Sequence, residues 1–121
     1  MIDIDAAKKL AVASVHRTFN VKDDDVEPQW ATLDEDTIIK EYGWIFSVVP
    51  YKYLKTGSLD FAPPMGMGDT IVEKDGTVHQ LGSSRPRTMM LHKFEIQFSE
   101  SLKEKYNITI PDYPRWWEPP S

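Results

Sequence analysis

Cysteine is absent from the 121 residues, which removes disulfide staples, thiolate metal ligands and cysteine nucleophiles together. Histidine is scarce: His16, His79 and His92 are the only three, and none stands four residues from another, as a helical zinc pair would. No stretch approaches the ~20 consecutive apolar residues that a membrane-spanning helix requires. The opening Met1-Ile2-Asp3-Ile4-Asp5 lacks a basic stretch followed by an apolar run, so no secretory signal is read and the expected compartment is the cytoplasm. Gly66-Met67-Gly68 lacks the strand–glycine–helix setting of a phosphate loop, and no Gly-x-Ser-x-Gly elbow occurs. Basic residues are missing where acidic ones are dense. Between Asp23 and Glu41 stand Asp23, Asp24, Asp25, Glu27, Asp34, Glu35, Asp36 and Glu41 against Lys40 alone, a local charge of −7 in a chain of net charge −5.

These absences predict no catalytic residue, no metal and no cofactor. The carboxylates of the acidic band lie in contiguous solvated runs, where burial is not expected to tune one acid against another. Such a band repels nucleic-acid phosphates and can steer a basic protein partner, although charge of this kind also simply keeps loops and strand edges solvated. Neither nucleic acid nor membrane is expected as a partner, and the oligomeric state is not fixed by the sequence.

What is present reads as one domain over residues 1–121, with 111–121 as an extended aromatic, proline-rich tail. Asp3 or Asp5 can cap a helix running to about Phe19, whose inner face carries Ile4, Ala7, Leu10, Ala11, Ser14, Val15 and Thr18. Small side chains on that face let the helix lie close against a sheet. Trp30 to Leu33 and Thr37 to Tyr42 read as short strands. Trp44 to Val49 reads as one strand covered on both faces and ended by Pro50, with a helical turn over Tyr51–Lys55. Lys74-Asp75-Gly76 between Thr70–Glu73 and Thr77–Leu81 predicts a hairpin, because glycine accepts the positive φ that the turn demands. Ser58 to Gly68 reads as an irregular loop. From Met90 to Phe98 the apolar spacing fits strand and helix alike, and Ser99 is read as the cap of a helix through Tyr106. The fold class is α+β: an N-terminal helix on an antiparallel sheet of about four to six strands, then a short C-terminal helix and the tail.

The segments Glu41-Tyr42-Gly43-Trp44-Ile45-Phe46, Tyr53-Leu54-Lys55-Thr56-Gly57, Gly66-Met67-Gly68-Asp69-Thr70-Ile71-Val72 and Asp75-Gly76-Thr77-Val78-His79-Gln80-Leu81-Gly82-Ser83-Ser84 follow in that order. In this, residues 5–98 resemble the bacterial Immunity protein 35 family, which includes the small YrhB-like proteins. Asp69 stands where that family tends to carry proline, and Arg87-Thr88-Met89-Met90 where it continues with an acidic helix. The resemblance implies a non-enzymatic immunity protein that binds a cognate bacterial toxin and occludes its functional site. For the YrhB-like members it implies, alternatively, a chaperone-like or stress-associated role.

Three groups are candidates for partner contact. Asp34, Glu35 and Asp36 would supply steering charge. Phe61, Met65 and Met67, in the glycine- and proline-rich loop, would supply an adaptable apolar surface, or a lid over the core edge. Trp116 and Trp117, beside Tyr113 and Arg115, would supply anchors, or fold back over the sheet. Trp44 is assigned to the core beside Phe46 or Tyr42, and His79 to the sheet surface or the core.

Overall fold

The computed structural model describes residues 1–18, 30–61, 67–82 and 86–113. The first helix, α1 (Ile4–Thr18), starts where expected: the Asp3 carboxylate accepts the Ala6 N–H at 2.8 Å, satisfying one of the donors that a helix start leaves open. Ala7, Ala11 and Val15 recur at i, i+4, i+8 and are fully buried.

A four-stranded antiparallel sheet forms the centre, in the order β2 (Ile38–Lys40), β3 (Gly43–Phe46), β5 (Met67–Glu73), β6 (Val78–Gly82). A separate two-stranded sheet pairs β1 (Trp30–Thr32) with β4 (Val48–Pro50). The expected single strand over Trp44–Val49 is therefore two strands in two sheets. The break falls at Ser47, whose carbonyl accepts the Leu33 N–H at 2.8 Å, so the chain passes from one sheet to the other without losing its pairing. Both strands are buried along nearly their whole length, which is why alternation could not reveal the break.

Alternation sorts the sheet into two faces. Trp44, Phe46 and Val72 point towards α1 and pack with Ala7, Ala11, Val15, Trp30 and Val48. Ile45, Ile71 and Tyr42 point the other way, onto α3 (Arg87–Gln97) and α4 (Ser99–Tyr106), through Leu91, Phe94, Leu102 and Ile110. Residues 88–97 are thus helical, and Phe98 stands at the junction with α4. Phe94 and Phe98 contact one another with ring centroids 4.9 Å apart and planes tilted by 36°, as the i, i+4 spacing places them. The C-terminal part is two abutting helices instead of one. Ser99 is not the cap: Phe98 occupies that position without a side-chain cap, and its carbonyl accepts the Leu102 N–H at 2.9 Å.

The hairpin between β5 and β6 turns through Lys74, Asp75 and Gly76, with Gly76 at φ 94° and its N–H donated to the Glu73 carbonyl at 2.9 Å. Gly43 answers a different need. A Cβ there would collide with the carbonyl oxygen of Val72 on the neighbouring strand. Tyr51–Thr56 form α2, closed by Gly57 in the left-handed conformation, and Leu59–Phe61 add a 3₁₀ turn inside the expected irregular loop. Among the described residues, no helix is long and apolar enough to cross a membrane.

Candidate binding surface

Asp34, Glu35 and Asp36 form a 3₁₀ turn that carries the chain from the small sheet to the edge strand β2. All three side chains are exposed, yet the turn is fastened on several sides. The Thr37 N–H donates to the Asp34 carbonyl at 3.1 Å, and the Thr32 hydroxyl donates to the Asp34 carboxylate at 3.0 Å. Lys8 of α1 approaches the same carboxylate at 3.1 Å. Hydrogen bonds from Lys8 and then Thr32 hold the Asp34 carboxyl below the usual range. From the other side of the sheet, the Arg87 guanidinium donates to the Asp36 carbonyl at 2.5 Å and to the Asp69 carboxylate at 2.6 Å. Burial pushes Asp69 upward, against the pull of Arg87.

The turn continues into Ile39, 72% exposed although its cross-strand neighbour Trp44 is buried. Sequence reasoning passed over Ile39. The signal available was an isoleucine in an edge strand flanked by acids, which alternation alone assigns to a core. Lys40, the one cation of β2, reaches inward to Glu95 at 3.5 Å and leaves the outer surface acidic. Structure thus gathers an exposed acidic turn, an exposed apolar side chain and a rigid support into one surface.

The face under α3 and α4 holds two buried carboxylates that sequence reasoning also missed. Glu73 is 2% exposed, and its Oε1 accepts from Tyr106 at 2.9 Å and Lys105 at 3.1 Å while Oε2 lies 2.6 Å from His79 Nε2. Glu95 is 1% exposed and accepts the Tyr113 hydroxyl at 2.7 Å on Oε1 and the Tyr42 hydroxyl at 3.0 Å on Oε2. Burial, then the neighbouring Glu95, pushes the Tyr113 hydroxyl up to about 12 and raises Tyr42 well above the usual phenol range. Burial and Glu73 raise Tyr106 likewise. Beside Glu73, the exposed Asp75 resists the upward push of desolvation: hydrogen bonds from Thr77 and Lys105 hold it low. Both oxygens of each buried acid are engaged, so these carboxylates work as pins. Glu73 fastens α4 to the hairpin, and Glu95 fastens α3 to the β2–β3 turn and to the segment ending at Tyr113.

His79 is half-buried on this face, with its ring 4.8 Å from Phe94 and 4.9 Å from Phe98. Tyr113 stacks flat on His92 at 3.7 Å, so the tail is held to the core at Tyr113. Between α1 and β1 runs a shallow groove of about 400 Å³, with Lys8 and Lys9 at its rim and Val12, Ala13 and Trp30 among its lining. Among the described residues, no three histidine or acidic side chains gather as metal ligands.

Asp23 to Glu27, Met65, Trp116 and Trp117 lie outside the described residues. The backbone of Phe61 ends the 3₁₀ turn after α2, and that of Met67 opens β5. The acidic turn is thus the one sequence-named group whose side chains the structure describes. No family model, no curated protein and no solved structure matches the chain.

Proposed function

We propose that this chain is a non-enzymatic, cytoplasmic immunity protein that binds a cognate bacterial toxin and neutralises it by covering its functional site. The acidic turn Asp34–Asp36 beside the exposed Ile39 carries the binding part of this reading. Surface acids tethered by Lys8, Thr32 and Arg87 hold their field in one orientation, which favours fast and selective encounter with a basic surface. Ile39 gives that encounter an apolar point to bury once water is expelled. The toxin as partner class rests on the resemblance to Immunity protein 35. A partner interface of about 1,600 Å² would extend well beyond the turn itself. The two buried carboxylates favour the same reading, because acids saturated by tyrosine, lysine and histidine donors are spent on holding helices.

Co-expression with the product of a neighbouring gene that is toxic on its own, scored as survival, tests the reading. Replacing Asp34, Glu35 and Asp36 by lysine is expected to slow association with that toxin by about tenfold at low salt and to flatten its salt dependence. An unchanged association rate would remove the acidic turn from the interface. Death of cells co-expressing the folded wild-type chain would remove the immunity reading altogether.

A further inference from the structure

Among the described residues the four-stranded sheet has two edges, and they are built differently. The β2 edge is three residues long, carries Lys40 and lies between Asp36 and Glu41. Shortness and charge are the usual protection of an edge against pairing with another chain. The β6 edge, Val78-His79-Gln80-Leu81-Gly82, is five residues long and has neither a formal charge nor a proline. Its backbone is poised to pair. The Glu73 N–H donates to the Thr77 carbonyl at 2.8 Å, and pairing alternates from there, so Val78 and Gln80 direct their N–H and C=O groups away from β5. The Gln80 side chain does not cap these groups: its carbonyl oxygen accepts the Thr70 hydroxyl at 2.6 Å and its amide donates to the Gly68 carbonyl at 3.2 Å.

We propose that β6 is a self-association edge, at which two copies of this chain pair antiparallel about Gln80 and join their sheets into one. Charge selects this occupant and this edge. The acidic turn precedes β2 at the far side of the sheet, so β6-to-β6 pairing separates the two turns by roughly 30 Å, several Debye lengths. Antiparallel pairing through β2, about Ile39, would instead set Asp36 of each copy close to Glu41 of the other. The register is also self-complementary. About Gln80, His79 falls opposite Leu81 of the second copy on the α3–α4 face, and Val78 opposite Gly82 on the α1 face, with no like charges meeting. The inference stands apart from the toxin reading, and the resulting dimer presents its two acidic turns at opposite ends.

Sedimentation equilibrium on the full chain from about 1 to 100 µM, with amide hydrogen exchange of Val78 and Gln80, tests it. The expected result is a mass twice the 14.0 kDa of one chain, with both amides slowed at high concentration and released on dilution. Gln80→Glu keeps an acceptor for Thr70 but sets two carboxylates face to face, and is expected to weaken the dimer roughly tenfold at low salt, recovering at high salt. A monomer throughout the range would overturn the proposal. So would a dimer in which both amides exchange freely, a readout that needs no variant to fold.

Discussion

The two faces of the central sheet solve the same packing problem with different chemistry. Under α1 the contact is apolar: alanines and a valine let the helix approach Trp44, Phe46 and Val72 with no buried carboxylate between them among the described residues. Under α3 and α4 the apolar contacts of Ile45, Ile71, Phe94 and Leu102 are interrupted by Glu73 and Glu95, each wrapped by donors from three different positions in the chain. An apolar face is held by area and tolerates any side chain of the right volume. A pinned face is held by direction. Its carboxylates cost desolvation energy that only complete sets of donors offset, so each set fixes one placement of its helix.

The largest expected effect lies on the apolar face. Phe46 is fully buried at the centre of the α1 contact, and Phe46→Ala is expected to destabilise the chain by about 3–5 kcal/mol in urea unfolding. Glu95→Ala is expected to cost about 3 kcal/mol, because it strands the Tyr42 and Tyr113 hydroxyls and the Lys40 ammonium. The comparison sharpens with a third variant. Replacing Tyr42, Glu95 and Tyr113 together by Phe, Leu and Phe is expected to recover most of that loss, since no polar group is then left in need of Glu95 except the half-exposed Lys40. Failure of the triple variant to exceed Glu95→Ala would mean that the pins supply stability that apolar contact cannot replace.

The same contrast explains how much was legible in the sequence. α1, with its cap at Asp3 and its buried Ala7-Ala11-Val15 stripe, follows from periodicity because an apolar helix face repeats at a fixed interval. The Asp-Gly hairpin follows from backbone sterics at Gly76. Glu73 and Glu95 have no such signature. In the chain they are ordinary acids among strand and helix residues, and only the tertiary fold brings Tyr42, Lys105, Tyr106 and Tyr113 to them from distant positions. The split at Ser47 was hidden for a related reason: burial on both faces removes alternation. Of the candidate binding surface, the acidic turn was visible as a run of like charge. Ile39 was not, since its exposure depends on β2 lying at an edge.

Alkaline pH is expected to separate the two faces next. Tyr42, Tyr106 and Tyr113 all belong to the pinned face and all are raised above the usual phenol value. A folded-state value above the unfolded one means that the native state holds its proton more tightly. The stabilisation is therefore complete below about pH 10 and is lost as the pH climbs towards the folded values, about 12 for Tyr113. Urea midpoints measured from pH 8 to 12 should fall in that window, and Tyr113→Phe should flatten part of the fall. Hydrogen exchange should register the loss first in α3 and α4, with α1 following only on global unfolding. Simultaneous loss in all helices would show that the two faces form one cooperative unit.

The smallest effect concerns the acidic turn, where a tether can matter for orientation while contributing almost nothing to stability. Lys8 meets Asp34 at 3.1 Å, but the two side chains are 30% and 70% exposed, so solvent screens most of the attraction. Lys8→Ala is accordingly expected to change stability by less than about 0.5 kcal/mol. Its measurable consequence should be local. The Asp34 carboxyl titrates low because Lys8 and Thr32 hydrogen-bond to its charged form, so removing Lys8 should move its NMR titration upward, towards the ordinary value. In wild type this favourable contribution is present above the unfolded carboxylate value and is lost as the pH falls through the folded one. Thr32→Val should shift the titration in the same direction by a smaller amount. An unmoved titration in Lys8→Ala would show that α1 does not hold the turn, leaving Arg87 and the backbone to fix how its acids are presented.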